Sequence, residues 1–322
     1  MKKVLKWIGI VLLGLLLLLT IIPYLVPLSR SGEVTSLRPY DNSMYFEENG
    51  VSVHYRLFLP ESENVRGKIF LVHGMGGSTY SYEKTIPELT AEGYMVLAAD
   101  LPGFGYSSRP EVFDHSQKNR SALLWGLLDE VDQTSLDGSG VQRWLLAGHS
   151  MGGGTVAAMA MERQDRTEHL VLIDGALLEN NRGGGILFDL PPVMRWVQVA
   201  LERFVIRENN IRSFLRSAYG AEPTQQQISG YLDPLKLPGT ARGAASLLRT
   251  SENLHLQELS ILEIPVTAIW GEKDSWVPLS DTEEIRKVLP QLEVTIIEGA
   301  GHVPMESHPE TFNRTFLDVL GL

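Results

Sequence analysis

The first apolar stretch of the chain has no polar face: from Trp7 to Leu28 no residue is charged, and its centre reads IGIVLLGLLLLLTII. As a helix it is about 30 Å long at 1.5 Å per residue, the thickness of a bilayer's hydrocarbon core. Beyond it the pattern changes to short apolar runs rich in β-branched residues, each followed by a glycine-rich or acidic turn and then a helix-like stretch. The runs are Lys68 to Val72, Tyr94 to Ala99, Arg143 to Ala147, His169 to Ile173, Val266 to Trp270 and Glu293 to Ile297. Such alternation predicts a mostly parallel sheet with helices on both faces, because strands covered on both sides carry no polar face of their own. Before these runs, MYFEENGVSVHYRLFLP predicts a hairpin turning at Asn49-Gly50, which brings the expected count to about eight strands.

Between Ile173 and Val266 the strand rhythm stops and helical periodicity takes over, as in PPVMRWVQVALERFVI and TARGAASLLRTSENL. An insertion of helices is the economical reading, approached through Gly183-Gly184-Gly185 and opened by a helix start at Pro191-Pro192. The expected organisation is a membrane anchor over 1–28, a tether over 29–43, a core made of 44–175 and 263–322, and an inserted helical unit over 176–262.

Charge changes the picture at the N-terminus. Lys2, Lys3 and Lys6 precede the apolar run while only Arg30 follows it closely, so the positive-charge bias places the N-terminus in the cytoplasm and the body outside. A cleaved secretory signal is the alternative, but IIPYLVPLSRSGE offers no good small-x-small site. The net charge of the whole chain is −11, and a body this acidic repels a phosphate backbone, so nucleic acid is not an expected partner. The chain contains no cysteine, which excludes a disulfide framework, cysteine-ligated metals and a cysteine nucleophile. No metal site and no cofactor are expected.

Candidate chemistry begins at RWLLAGHSMGGGTVAAMAM. There Gly148, Ser150 and Gly152 form G-x-S-x-G between an apparent strand and an Ala/Met-rich helix. The bare pattern is weak; its flanks make it a nucleophile elbow, a tight turn that lifts a serine hydroxyl above the sheet edge. A serine needs a base, and the base an orienting carboxylate. VTAIWGEKDSWVP puts Asp274 beyond one strand and EVTIIEGAGHVPMESHP puts His302 beyond the last, in the order Ser, Asp, His. Asp174, after HLVLI, is the alternative acid. Backbone N–H groups of Met151 and of Met75, in the early loop HGMGGS, are the expected oxyanion donors.

Together with AADLPGFGYSSRP, these stretches resemble the α/β-hydrolase superfamily, in particular its cap-bearing esterase, C–C hydrolase and haloperoxidase-like branch. The resemblance runs from about Met44 to the C-terminus, broken only by the insertion. It implies an α/β fold whose inserted helices cap the active site, and a serine hydrolase acting on a carboxylic ester or related acyl bond of a small, apolar substrate. Dehalogenases and epoxide hydrolases of this branch use an aspartate where this chain has Ser150, so those activities are disfavoured. C–C hydrolysis and cofactor-free perhydrolysis use the same triad and stay open, as does a ligand receptor on the same scaffold.

Other polar residues have plainer readings. His73 and His149 are expected to brace their loops, Glu298 and Glu306 to be surface or supporting groups, and His54, His115, His169, His255 and His308 to be surface or core residues. Trp196, Phe204, Phe214, Tyr219 and Tyr231 of the insertion either pack or line an acyl pocket. GHSMGGG also fits a dinucleotide loop of short-chain dehydrogenases, with Tyr80 and Lys84 as a Y-x-x-x-K pair. That reading fails on order, since several strands and Tyr80 precede the glycines.

Overall fold

The computed structural model describes residues 2–62, 65–134, 143–178, 189–252 and 254–322. Eight strands form one sheet: β1 (Ser43–Glu48), β2 (Val51–Phe58), β3 (Gly67–Val72), β4 (Tyr94–Ala99), β5 (Trp144–His149), β6 (Thr167–Ile173), β7 (Val266–Gly271) and β8 (Glu293–Ile297). Their spatial order is β1-β2-β4-β3-β5-β6-β7-β8. β1 and β2 pair antiparallel, as do β2 and β4, and every other pairing is parallel. The hairpin turns where expected, with Asn49 and Gly50 both at positive φ (49° and 78°), the conformation that favours Asn-Gly there.

β3 shows why the central runs are apolar throughout. Phe70 and Val72 enter one core, Ile69 and Leu71 the other, and all four are fully buried. One face is covered by α3 (Gln117–Thr134) and α4 (Met151–Glu162), which bring Leu124, Leu128, Val156 and Ala157 to the core. The opposite face is covered by α2 (Ile86–Ala91) and the C-terminal α11 (Pro309–Val319) through Leu89, Phe312 and Phe316. Helix α9 (Asp281–Val288) joins β7 to β8, and the single turn α10 (Pro304–Ser307) precedes α11.

Among the described residues, four α-helices lie between β6 and β7: α5 (Pro191–Ala200), α6 (Glu208–Tyr219), α7 (Gln225–Leu235) and α8 (Thr240–Thr250). The helix start expected at Pro191-Pro192 is there; the glycine run at 183–185 lies outside the described residues. The N-terminal run forms α1 (Lys2–Leu25), long and apolar enough to cross a membrane and almost wholly exposed.

After β3 the chain steps to one side, to β4, and later to the other, to β5. Loops leaving such parallel strands open a crevice at their carboxyl ends, which is where open α/β sheets bind ligands.

Candidate active site

The turn from β5 into α4 is built on close backbone approach. A Cβ on Gly148 would lie 2.3 Å from the Gly152 carbonyl oxygen, and one on Gly152 would lie 2.4 Å from the Val72 carbonyl oxygen, so no other residue fits either place. Between them Ser150 takes φ 50° and ψ −119°, a strained conformation for a residue with a side chain. The strain is held by Ser150 N–H donating to the Ile173 carbonyl at 2.9 Å and by the Ser150 carbonyl accepting from Gly153 and Ala176. The hydroxyl therefore stands above the sheet at the N-terminus of α4.

His302, in the loop after β8, faces that hydroxyl: its Nε2 is 2.9 Å from Ser150 Oγ. Its Nδ1 lies 2.7 Å from Asp274 Oδ2, in the loop after β7. Burial pushes the Asp274 carboxyl up. The hydrogen bond and charge of His302, with the N–H groups of Trp276 and Val277 on Oδ1, outweigh it and hold the group below the usual carboxylate range. An ionised Asp274 accepts only, so Nδ1 carries the proton and Nε2 is left to accept from the serine hydroxyl. The loop bearing His302 is pinned from two sides: its N–H donates to the Ala218 carbonyl at 2.7 Å, and its carbonyl accepts from His149 Nε2 at 2.7 Å.

Asp174 follows β6 beside this group and faces Asp274, and it is Asp274 that bonds to His302. It is fully buried at φ 43°, and its Oδ1 accepts from Gly271 N–H at 2.8 Å. Burial, then the neighbouring Asp274 charge, pushes its pKa well above the ordinary value. Asp174, Asp274 and His302 bring potential metal-ligand atoms within 4.8 Å of one another. Two of those residues already hold each other through the Nδ1 bond, and a cation there would have to break it.

Met75, in the loop after β3, lines the cleft with Ser150. Met151 N–H is the first of α4, where helix geometry leaves it without an intrahelical partner. Both residues thus lie beside Ser150. The β3 loop is stapled by Asp100: Oδ1 accepts from Thr79 N–H at 2.6 Å, while Oδ2 accepts from Tyr106 N–H at 2.7 Å and lies 2.8 Å from His54 Nδ1. His73 acts as a brace, taking Leu101 N–H on Nε2 at 3.0 Å and lying 2.6 Å from the Gly74 carbonyl through Nδ1. His149 is pushed down to about 3 by burial and by His302, so it is neutral.

The cleft over Ser150 is walled by Phe214, Leu215 and Ala218 of α6, Tyr231 of α7, and Trp276, Val303 and Ser81 of the core. Of the five aromatic residues expected to line or pack, Phe214 and Tyr231 reach the cleft. Tyr219 turns to Glu306, Trp196 to α1, and Phe204 is exposed. Trp276, whose ring centre is 5.1 Å from His302 and 4.7 Å from Phe214, was missed in the sequence; its place two residues after Asp274 was the available signal. Glu298 is exposed, whereas Glu306 is buried, a correction to the surface reading: Tyr219 Oη donates to it at 2.6 Å and Tyr231 Oη at 2.5 Å. Lys84 Nζ lies 3.4 Å from the Glu306 backbone carbonyl, and the glycines at Ser150 follow the fifth strand, so a dehydrogenase site is not assembled.

Known proteins match along the same length. The chain is 26% identical over 266 residues to a 2-hydroxy-6-oxononadienedioate/2-hydroxy-6-oxononatrienedioate hydrolase of Cupriavidus pinatubonensis, covering 79% of this chain and 86% of that one. It is 25% identical over 285 residues to lipase 3 of a Moraxella species, covering 82% of each. The crystal structure of a bacterial membrane phospholipase A superposes with a TM-score of 0.69 at 24% identity, over 100% of this chain and 98% of that one, a likeness of fold. The family model described as the alpha/beta hydrolase fold matches residues 68–309, three quarters of the sequence and every strand from β4 to β8, and to that family the chain belongs.

Proposed function

We propose that the chain is a serine hydrolase that cleaves a carboxylic ester of a small, apolar substrate through an acyl-enzyme. The observation that carries this reading is the continuous line Ser150 Oγ, His302 Nε2, His302 Nδ1, Asp274 Oδ2, with steps of 2.9 and 2.7 Å. Ser150 attacks the carbonyl carbon while His302 takes the hydroxyl proton. Asp274 stabilises the imidazolium, and the N–H groups of Met75 and Met151 receive the charge that develops on the carbonyl oxygen. His302 returns the proton to the leaving alcohol, and a water activated by the same imidazole releases the acid. The helices between β6 and β7 serve as a cap, and no cofactor enters the cycle.

The lining supports an apolar acyl group. Phe214, Leu215, Ala218, Trp276 and Val303 offer hydrocarbon surface, and no lysine or arginine lines the cleft among the described residues. A dicarboxylate, the kind of substrate named for the Cupriavidus relative, would lose its hydration there without a cation to replace it. We further infer that α1 is retained as an anchor, with the three N-terminal lysines on the cytoplasmic side and the catalytic body outside.

A fluorophosphonate probe tests the nucleophile: the wild-type protein is expected to be labelled covalently, and Ser150→Ala to lose both labelling and turnover of p-nitrophenyl esters. Labelling that persists in Ser150→Ala refutes the assignment. The same ester series, graded by chain length and run beside a C–C diketone and a lactone, separates ester hydrolysis from the other uses of the triad.

A further inference from the structure

Helix α1 contains Pro23, which has no N–H to give to the carbonyl four residues earlier, at Leu19. In a bilayer such a freed carbonyl is expensive to leave unpaired. The missing donor comes from the inserted helices: Trp196 Nε1, on α5, donates to Leu19 O at 2.8 Å. Arg195 donates from Nε to Pro23 O at 3.0 Å and from Nη2 to Val26 O at 2.7 Å, pairing carbonyls at the C-terminal end of α1, and Arg203 donates to Pro27 O. Glu202 accepts from Ser29 N–H at 3.1 Å and Ser29 Oγ at 2.8 Å. Residues from 195 to 203 are thus tied along the last turns of α1 and the start of the tether.

This tie sets a depth. Leu19 precedes the end of α1 at Leu25 by six residues, about 9 Å along the axis. A tryptophan bonded there lies at or below the surface of any bilayer that α1 crosses. The segment around it is built for that position. Met194 and Val199 turn inward and are buried, while Leu190, Trp196, Phe204 and Val205 are exposed, Phe204 at 68% and Val205 at 45%. Exposed apolar and aromatic side chains, with arginines at the level of the tether, are the composition of a segment lying in a membrane interface.

We propose that the segment from Leu190 to Val205 docks onto the outer lipid leaflet beside α1, with Phe204 and Val205 inserted among the acyl chains. The proposal rests on the reading that α1 spans the membrane. The occupant is lipid because this surface continues the lipid-facing surface of α1 itself. Helix α6 begins at Glu208, soon after the docked segment, and its C-terminal half supplies Phe214, Leu215 and Ala218 to the cleft. A substrate dissolved in the leaflet is therefore one helix length from Ser150.

The absence of cysteine makes every introduced thiol unique. Nitroxide labels on Leu16→Cys, Phe204→Cys, Val205→Cys and Val112→Cys, in the full chain reconstituted into phosphatidylethanolamine/phosphatidylglycerol vesicles, report depth by collision with oxygen against a water-soluble nickel chelate. Expected are oxygen-to-nickel ratios at Leu16, Phe204 and Val205 several-fold above that at Val112, which is 93% exposed on the core. Ratios at Phe204 and Val205 equal to that at Val112, with Leu16 in lipid, overturn the docking and leave the anchor standing. A water-exposed Leu16 overturns the anchor and the docking with it. Dipolar broadening at Phe204 with protection from both reagents assigns the face to a second copy, and likewise overturns the proposal.

Discussion

Two carboxyls, Asp274 and Asp174, end adjacent strands a few ångströms apart and are held in opposite states. Asp274 is kept ionised because His302 and two backbone N–H groups outweigh its burial; Asp174 is pushed well above its ordinary pKa by burial and by the Asp274 charge, with the Gly271 N–H opposing. A protonated carboxyl is mimicked by an amide and an ionised one is not. Asp174→Asn is therefore expected to keep kcat within about tenfold of wild type. Asp274→Asn removes the acceptor that fixes the imidazole tautomer and is expected to lower kcat by roughly 10³–10⁴-fold. Steady-state turnover of one p-nitrophenyl ester by both variants checks this, and equal losses would mean that the two acids act as one unit.

Among the elements, the junction of β5 with α4 has the least room for change. Gly152 packs against the Val72 carbonyl of the neighbouring β3, and main chain cannot swing aside as a side chain can. Gly152→Ala is expected to cost about 1–3 kcal/mol or more through overpacking, read as a lowered urea midpoint, and to displace Ser150. An unchanged midpoint would show that the turn relaxes freely. Elements of this kind were legible in advance because their signals are local. Tyr94–Ala99 and Glu293–Ile297 form strands over the residues expected, and β5, β6 and β7 differ by a residue or two at their ends. Strand ends depend on which partner residues remain to be paired, which no single run records. The inserted helices announced their type by periodicity, yet which aromatic side chains among them face the cleft depended on how α6 and α7 pack.

Across the whole molecule, Glu306 joins the inserted helices to the core. It sits on α10, receives Tyr219 of α6 and Tyr231 of α7, and Tyr231 Oη is also 3.1 Å from Ser81 Oγ. Burial pushes its pKa up to about 7, against the opposing hydrogen bonds of Tyr219, Tyr231 and Ser81 and the charge of Lys84. A carboxyl raised on folding contributes stability that is full below its unfolded pKa, about 4.3, and is lost as pH rises through the folded value. Thermal stability is expected to decline between about pH 5 and 8, and Glu306→Gln to flatten that decline. A variant whose melting temperature falls as steeply as wild type would remove Glu306 as the source. The sequence by itself determined the apolar N-terminal run, the alternation that makes a parallel sheet, the elbow at Ser150 and the candidates Asp274 and His302. Each is written in periodicity or short-range spacing, which acts within a few residues. Only the tertiary structure decided that Asp274 rather than Asp174 meets His302, that Glu306 is buried between two tyrosines, and that Trp196 supplies the hydrogen bond Pro23 withholds. Those outcomes depend on residues up to 177 positions apart being brought within hydrogen-bonding distance, and burial and pairing at that range are properties of the packed molecule.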